Sequence, residues 1–264
     1  MRRPLITLLS DFGTRDYYVS AMKGVILNIL PNAEIVDITH DITPFSIVEG
    51  AFVLWQAVRW FPRGTVHVAV VDPGVGSERD PIVIKAGGHY LVGPDNGLLV
   101  PAAERLGLEE VRRIENEEFI LERTGTFDGR DVFAPAAAHI AKGVPFDRIG
   151  SKKANFVRLR LFRYEITSDC IFGHVLHLDR FGNVVLDVPS SALTSKWPKA
   201  LTVETEGGNR FAAKVASHYE EGSPGELLVI RGSSGLLELS VNRGSAAEVI
   251  KLLPGGSIKI RPAE

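Results

Sequence analysis

The chain has 264 residues, of which 45% are hydrophobic and 23% are charged, enough for one large domain or two smaller ones. Its formal net charge of −2 and its pI of about 6.4 exclude the strongly basic surface of a nucleic-acid-binding protein. The single cysteine, Cys170, excludes an intramolecular disulfide and a cysteine-cluster metal site. The apolar run near Leu5 is too short to cross a membrane, so we expect a cytoplasmic protein. Scarce Gln, Met and Cys indicate a thermophilic source.

The first half alternates predicted strands and helices. An apolar run at residues 5–9 predicts a buried strand, and apolar residues spaced between Val19 and Leu30 predict a helix. Residues 35–38 predict a second strand. Ser46 and Glu49 have the spacing of a capping box at the start of a second helix. Residues 66–71 form the third strand, and this order predicts a parallel sheet.

The elements that follow are a hairpin, a helix and a loop that leads into another helix. Residues 82–84 and 90–92 predict the two strands of a hairpin about Gly87-Gly88. The next helix runs through Val100 and Leu106. Pro135 is typical of the first turn of a helix, so residues 126–131 should precede a helix that ends at Gly143. A loop in that position favours an anion or a carboxylate.

The pattern changes after a basic linker at residues 150–168. Short β-like runs separated by turn residues follow as far as residue 260, which predicts a small barrel or sandwich. The expected organisation is therefore an α/β domain with a mostly parallel sheet at residues 1–160 and a smaller all-β domain at residues 168–264.

Acidic residues follow several of the predicted strands. The third strand ends in Asp72-Pro73-Gly74-Val75-Gly76 with Arg79 beyond it, Asp11 ends the first strand, and Asp128 and Asp131 precede a helix. Ligands of open α/β sheets bind at the carboxyl ends of the strands. Acids there suit a metal-dependent phosphohydrolase, an enzyme that holds substrate hydroxyls and water without a metal, or a binding protein without turnover.

Several familiar catalytic patterns are missing or misplaced. The chain has no P-loop and no nucleophile elbow, and its seven histidines lack a metal-binding spacing. Asp11-Phe12-Gly13 has the letters of the kinase magnesium motif, but no catalytic loop precedes it. We expect no metal and no cofactor.

Six motifs in order resemble the S-adenosyl-L-methionine (SAM) hydroxide adenosyltransferase family, which is related to fluorinase and chlorinase. They cover essentially the whole chain: Ser10-Asp11-Phe12-Gly13, Asp72-Pro73-Gly74-Val75-Gly76 with Arg79, Gly93-Pro94-Asp95-Asn96-Gly97, Thr126-Phe127-Asp128-Gly129-Arg130-Asp131, Asp179-Arg180-Phe181-Gly182-Asn183 and Asn242-Arg243-Gly244-Ser245-Ala246-Ala247.

The resemblance implies hydrolysis of SAM to adenosine and methionine by attack of water at the ribose C5′. It also implies a C-terminal β-barrel and a homotrimer whose sites lie between subunits. Asp72, Arg79 and Asp128 would be catalytic. The resemblance assigns substrate contacts to eleven residues: Asp11 at the ribose diol, Phe12 and Phe45 packing on the substrate, Asp179, Phe181 and Asn183 at the methionine end and the adenine, Ser233 and Ser234 at the amino-acid moiety, and Asn242, Ser245 and Ala246 at the adenine.

The chain departs from the family at Asp128, where members usually carry His. A carboxylate there adds a second negative charge beside Asp72, so we expect slower turnover than in a relative with His. The alternatives are a non-catalytic SAM or adenosine binder and, third, a metal-dependent phosphohydrolase. Halide is a less suitable nucleophile than water because Asp72 would repel it.

Overall fold

A computed structural model describes residues 3–263. The chain divides into two compact units, of which the first ends at Leu159 and the second begins at Arg160. Among residues 3–263, no helix is both long and apolar enough to span a membrane.

The first unit is a mixed α/β unit. Its strands are β1 (Leu5–Ser10), β2 (Glu34–Thr39), β3 (Val66–Val70), β4 (Pro81–Ala86), β5 (His89–Pro94) and β6 (Leu108–Arg113). Its helices are α1 (Tyr18–Ile29), α2 (Ile47–Ala57), α3 (Val100–Leu106) and α4 (Ala134–Lys142), and a π-helical turn, Gly129–Phe133, leads directly into α4.

The six strands form one sheet in the order β2-β1-β3-β5-β4-β6. The pairs β1–β2, β1–β3 and β3–β5 are parallel, and β4 is antiparallel to both of its neighbours. The predicted mostly parallel sheet and the hairpin about Gly87-Gly88 are therefore confirmed. Ser10 of β1 pairs with Val70 of β3, so the residues that follow these two strands leave the sheet side by side.

Alternating residues of the central strands build the core. Ile6 and Leu8 of β1 share one buried cluster with Val68 of β3, Met22 of α1 and Ala137 of α4. This alternation follows from the pleat, which sends successive side chains to opposite faces.

The predicted capping box of α2 is wrong. Ser46 is the N-cap residue, but its side chain makes no capping hydrogen bond. The carboxylate of Glu49 turns instead to the backbone N–H of Thr43, which donates to it at 2.9 Å. Glu49 is buried, and this bond gives its carboxyl group a partner away from water.

The second unit is a β-barrel with one short helix. Its elements are β7 (Glu165–Ile166), β8 (Ile171–Leu178), β9 (Val184–Pro189), β10 (Ala200–Thr205), β11 (Arg210–Ala216), β12 (Leu227–Arg231), β13 (Leu236–Val241), α5 (Ala246–Ile250) and β14 (Ser257–Pro262). Seven strands run in the order β14-β10-β11-β12-β13-β9-β8, and pairing of β14 with β8 closes them. Of the two predicted folds, barrel or sandwich, the structure has the barrel.

Candidate functional site

A cavity of about 420 Å³ lies in the first unit, at the loops that follow β1 and β3. Asp11 follows β1 and Asp72 follows β3, so the pairing of these strands places both carboxylates at one edge of the sheet. The loop before the π-helical turn adds Asp128. Twelve residues line the cavity: Asp11, Phe12, Tyr18, Pro44, Phe45, Val70, Asp72, Val75, Thr126, Phe127, Asp128 and Gly129.

Four charged side chains alternate in sign beside this cavity, and we call them the charge chain: Asp72, Arg79, Asp128 and Arg123. The Arg79 guanidinium donates to both oxygens of Asp72, and its Nη2 also donates to Asp128 Oδ2 at 2.7 Å. Arg123 approaches from the other side, with Nη2 at 2.7 Å from Asp128 Oδ2 and Nε at 3.2 Å from Oδ1. Asp128 is 1% exposed, so two guanidiniums compensate one buried carboxylate.

Arg79 lies behind the carboxylates and is not among the residues that line the cavity. Its guanidinium is 5.4 Å from the ring centroid of Phe133. Within residues 3–263, Nη1 of Arg79 is one of two buried side-chain nitrogens without a hydrogen-bond partner. The site therefore holds a buried cationic donor for which the fold supplies no acceptor.

Asp11 holds the loop on the opposite side of the cavity. Its Oδ2 accepts a hydrogen bond from the backbone N–H of Phe45 at 2.9 Å. Phe45 has a φ of 69°, a left-handed conformation that is costly for a bulky residue, and its side chain is 70% exposed. Asp11 thus stabilises an unusual backbone that presents an aromatic ring at the cavity.

An aromatic wall completes the cavity. The Phe127 ring packs edge-to-face on Phe12, with centroids 5.9 Å apart, and on Tyr18, with centroids 5.0 Å apart. The cavity is thus lined by carboxylates and by aromatic rings, which suits a ligand that is flat and apolar at one end and polar or cationic at the other.

Asp131 and Arg130, which the sequence places beside Asp128, do not line the cavity. Asp131 is buried and accepts hydrogen bonds from the backbone N–H of Thr124 at 3.0 Å, from Thr124 Oγ1 at 2.8 Å and from Arg130 Nε at 2.6 Å. Burial alone would raise the pKa of Asp131, but these bonds lower it below its ordinary value of 3.8. Asp131 is therefore an ionised anchor for the loop that carries Arg123.

The second unit has a cavity of its own, of about 560 Å³, lined by Asp179, Phe181, Asn183, Tyr219, Ser233, Glu238, Val241, Arg243 and Gly244. Asp179 accepts from the backbone N–H groups of Phe181 at 2.8 Å and Asn183 at 2.9 Å, and from Asn183 Nδ2 at 2.8 Å. Phe181 is 80% exposed. Asp179 thus fixes a tight turn that presents an aromatic side chain.

Two sequence motifs meet at this second cavity. The N–H of Ala247 donates to the carbonyl of Gly182 at 2.9 Å, and a Cβ at Gly182 would lie 2.2 Å from Ser245 Oγ, so only glycine fits there. Ser245 also caps α5 by accepting from the N–H of Glu248. The Asp179–Asn183 turn and the start of α5 therefore pack together.

Four residues with predicted substrate contacts, Ser234, Asn242, Ser245 and Ala246, are not among the residues lining this cavity. Asn242 Nδ2 donates to the carbonyl of Gly222 at 2.6 Å, and Ala246 is fully buried. A backbone contact from this segment remains compatible with the predicted role, whereas the Asn242 side chain has a structural partner.

The sequence interpretation missed Arg123, Tyr219 and Glu238. Tyr219 donates to Glu238 Oε1 at 2.9 Å, and burial together with this bond raises the pKa of Tyr219 to about 12. None of the three belongs to a glycine- or proline-marked motif, and the five-residue separation between Arg123 and Asp128 is the one sequence signal that links Arg123 to the site.

Comparison with known proteins matches both units to a single family. The N-terminal domain of SAM hydroxide adenosyltransferase matches residues 6–150, and the C-terminal domain matches residues 173–259. Proteins named (R)-S-adenosyl-L-methionine hydrolase from Salinispora arenicola and Methanocaldococcus jannaschii are 39% and 38% identical to this chain, over 97% and 94% of it and 97% and 92% of their own lengths.

More distant and structural relatives agree. A fluorinase from Nocardia brasiliensis is 27% identical over 98% of this chain and 97% of its own. A crystal structure of an uncharacterised conserved protein from Thermotoga maritima superposes with a TM-score of 0.89 at 38% identity, covering 97% of this chain and 99% of that one. Both halves of the chain match the same family, and relatives that share 38–39% of its residues span almost its full length. The chain belongs to the SAM hydroxide adenosyltransferase family.

Proposed function

We propose that this protein hydrolyses S-adenosyl-L-methionine to adenosine and L-methionine. The observation that carries the proposal is the cavity of the first unit, where Asp11, Asp72 and Asp128 lie beside an aromatic wall. Three carboxylates against the two guanidiniums of the charge chain leave a formal charge of −1 at the site, which matches a sulfonium cation. Relatives that span almost the full chain are named SAM hydrolases.

The chemistry requires a positioned water and no general acid. The water oxygen forms a bond to C5′ while the C5′–S bond breaks. The electron pair of the C5′–S bond stays on sulfur. Methionine leaves as a neutral thioether, and the water proton passes to solvent or to a carboxylate. In the proposed mechanism Asp72 orients the water, and Arg79, which donates to both oxygens of Asp72, fixes that carboxylate and stabilises hydroxide character on the water oxygen through its positive charge.

The remaining assignments follow the family resemblance. Asp11 would hold the ribose diol, and Phe12 and Phe45 would pack on the nucleoside. The first unit would be the substrate-binding and catalytic domain. The cavity of the barrel would contact the substrate through Asp179, Phe181, Asn183 and Ser233. We further propose a cytoplasmic homotrimer with its sites at subunit interfaces.

The test is incubation of the purified protein with SAM in water enriched in oxygen-18. We expect equal amounts of adenosine and methionine, with the label in the 5′-hydroxyl of adenosine. The variant Asp72→Asn should be slower by about 10²- to 10⁴-fold, whereas Glu118→Gln, which removes a carboxylate from the exposed pair with Arg148, should keep the parent rate.

A second candidate function is SAM or adenosine binding without turnover. It is favoured by the hydrogen bonds that the Asp128 carboxylate accepts from Arg79 and Arg123, since a carboxylate bound by two guanidiniums is a poor proton acceptor. Tight binding of SAM with no release of methionine would select this function over hydrolysis. Activity that is lost in chelator and returns with Mg²⁺ would contradict both.

A further inference from the structure

A chain of polar contacts runs from Ser10, the residue before Asp11, towards the surface. Ser10 Oγ is 2.7 Å from His40 Nδ1, and His40 Nε2 is 3.2 Å from Asp37 Oδ1. Ser10 and His40 are buried, at 1% and 4% exposure. Lys23 completes the chain at the surface, with Nζ 2.6 Å from Asp37 Oδ2.

Asp37 is the charged end of these contacts. Burial would raise the pKa of Asp37, but its contacts with Lys23 and His40 lower it below its ordinary value of 3.8. His40 Nε2 faces the Asp37 carboxylate at 3.2 Å without the geometry of a hydrogen bond, so the ring is tied to the turn through Nδ1 and the Ser10 hydroxyl. Ser10 Oγ also accepts from the backbone N–H of Phe12 at 3.3 Å.

His40 also holds the far end of the same turn. Its carbonyl accepts from the N–H of Gly13 at 2.7 Å. The side chain of His40 therefore fixes the start of the turn at residues 10–13, and its backbone fixes the end. Asp11 lies between these two attachments, with its carboxylate on the cavity and on the N–H of Phe45.

Serine hydrolases use the same three residue types, but the geometry here excludes that role. Ser10 and His40 are absent from the residues that line the cavity, and the Ser10 hydroxyl has a partner on each side. A buried hydroxyl that cannot reach a substrate carbonyl is not a nucleophile.

We propose that Ser10, His40 and Asp37 are positioning residues that fix the Asp11 carboxylate for recognition of two neighbouring ribose hydroxyls. The proposal rests on the proposed function in taking the ligand to be a nucleoside. A carboxylate held rigidly can accept from both hydroxyls of a diol, whereas a mobile one loses the second bond first. Ser10, His40 and Asp37 should therefore control how strongly the protein prefers ribose to 2′-deoxyribose.

The structure offers a matched control on the same strand. Thr7 is fully buried on β1, and its Oγ1 lies 2.8 Å from Nδ1 of another buried histidine, His67. Ser10→Ala and Thr7→Val each remove one hydroxyl from a buried pair with histidine, but only the first pair is bonded to the turn that carries Asp11. Ser10→Thr keeps the hydroxyl and serves as the rescue variant.

The experiment is calorimetric titration of the full chain with adenosine and with 2′-deoxyadenosine, together with the melting temperature of each variant. We expect the parent to prefer adenosine, and Ser10→Ala to reduce that preference by about tenfold or more, the effect of losing one hydrogen bond to a charged group. Thr7→Val and Ser10→Thr should keep the parent's preference.

Two results would overturn the inference: a Ser10→Ala variant with the preference of the parent, or a Thr7→Val variant that loses it equally, which would mean general loosening of β1. A parent that binds neither nucleoside would overturn the proposed function as well, and the parent titration alone identifies that case.

Discussion

Asp128 shows how one residue depends on its neighbours. The family resemblance places His at this position, yet here the side chain accepts from Arg79 on one side and from Arg123 on the other. A neutral imidazole has one acceptor nitrogen and cannot serve both guanidiniums, and an imidazolium would be a third cation. Arg123 is thus the partner that a carboxylate at position 128 requires.

We therefore predict that Asp128→His alone does not speed SAM hydrolysis, although it introduces the residue that the family resemblance places there. The double variant Asp128→His with Arg123→Gln should exceed the single variant by about tenfold or more, because a positioned acid–base group is worth about 10²- to 10⁴-fold. The measurement is turnover at saturating SAM.

The control for this comparison combines Asp128→His with Arg148→Gln, which removes an exposed guanidinium that pairs with Glu118. It should behave like the single variant. A single variant as fast as the double one would show that Arg123 places no constraint on position 128.

The residues that could be predicted are those that turn chemistry marks. Asp11 and Asp72 follow apolar runs that end in glycine- or proline-containing turns, and parallel strands bring such ends together. Arg123 and His40 could not be predicted in this way. Arg123 comes from an irregular loop, and His40 acts through a buried contact to Ser10, thirty residues away in the chain, that only the folded sheet creates.

At the scale of elements, the missed strand β6 illustrates what patterning cannot detect. Its sequence, Leu-Glu-Glu-Val-Arg-Arg, is mostly charged because β6 is the last strand of the sheet, with β4 on one side and a single bridge between Arg112 and Lys152 on the other. The five-residue helix α5 was missed for another reason, since five residues are too few to show helical periodicity. The apolar strands β1 and β3 were predicted because both are buried.

The centre of the sheet carries a titratable element. His67 of β3 is fully buried between Thr7 of β1 and His89 of β5, with its Nε2 3.2 Å from His89 Nδ1. Burial, and secondarily the charge of His89, lowers the pKa of His67 from 6.5 to about 3. The folded protein thus excludes a proton that the unfolded chain binds below pH 6.5.

Stability should therefore fall as the pH drops from 6.5 towards 3, with a contribution from His67 of up to about 1.4 kcal/mol per pH unit. Above pH 6.5 both states are neutral at this residue, and the contribution is constant. Urea unfolding at a series of pH values should show a shallower acid dependence for His67→Gln than for the parent. His218, whose side chain is 63% exposed, provides the control, and His218→Gln should follow the parent. Equal slopes for the parent and His67→Gln would refute the assignment.

At the scale of the whole molecule, each unit has a cavity of its own, and different side chains line the two cavities. The cavity of the first unit has the carboxylates next to the charge chain, and that of the barrel has Asp179, Tyr219, Glu238 and Arg243. The family resemblance implies that one substrate meets the first unit of one subunit and the barrel of a neighbour, which is the arrangement proposed above.

Subunit complementation tests this arrangement. We expect Asp11→Ala and Asp179→Ala each to abolish hydrolysis in a uniform oligomer. Co-expression with two different tags, followed by purification on both, should give mixed oligomers with part of the parent activity. In them, an intact first unit from an Asp179→Ala subunit meets an intact barrel from an Asp11→Ala subunit. If each site is built within a single chain, every site carries one defect, so mixed oligomers that remain inactive would refute interface sites.

Mixing Asp11→Ala with Asp72→Asn provides the control, because both changes lie in the first unit and no pairing of subunits can restore a site.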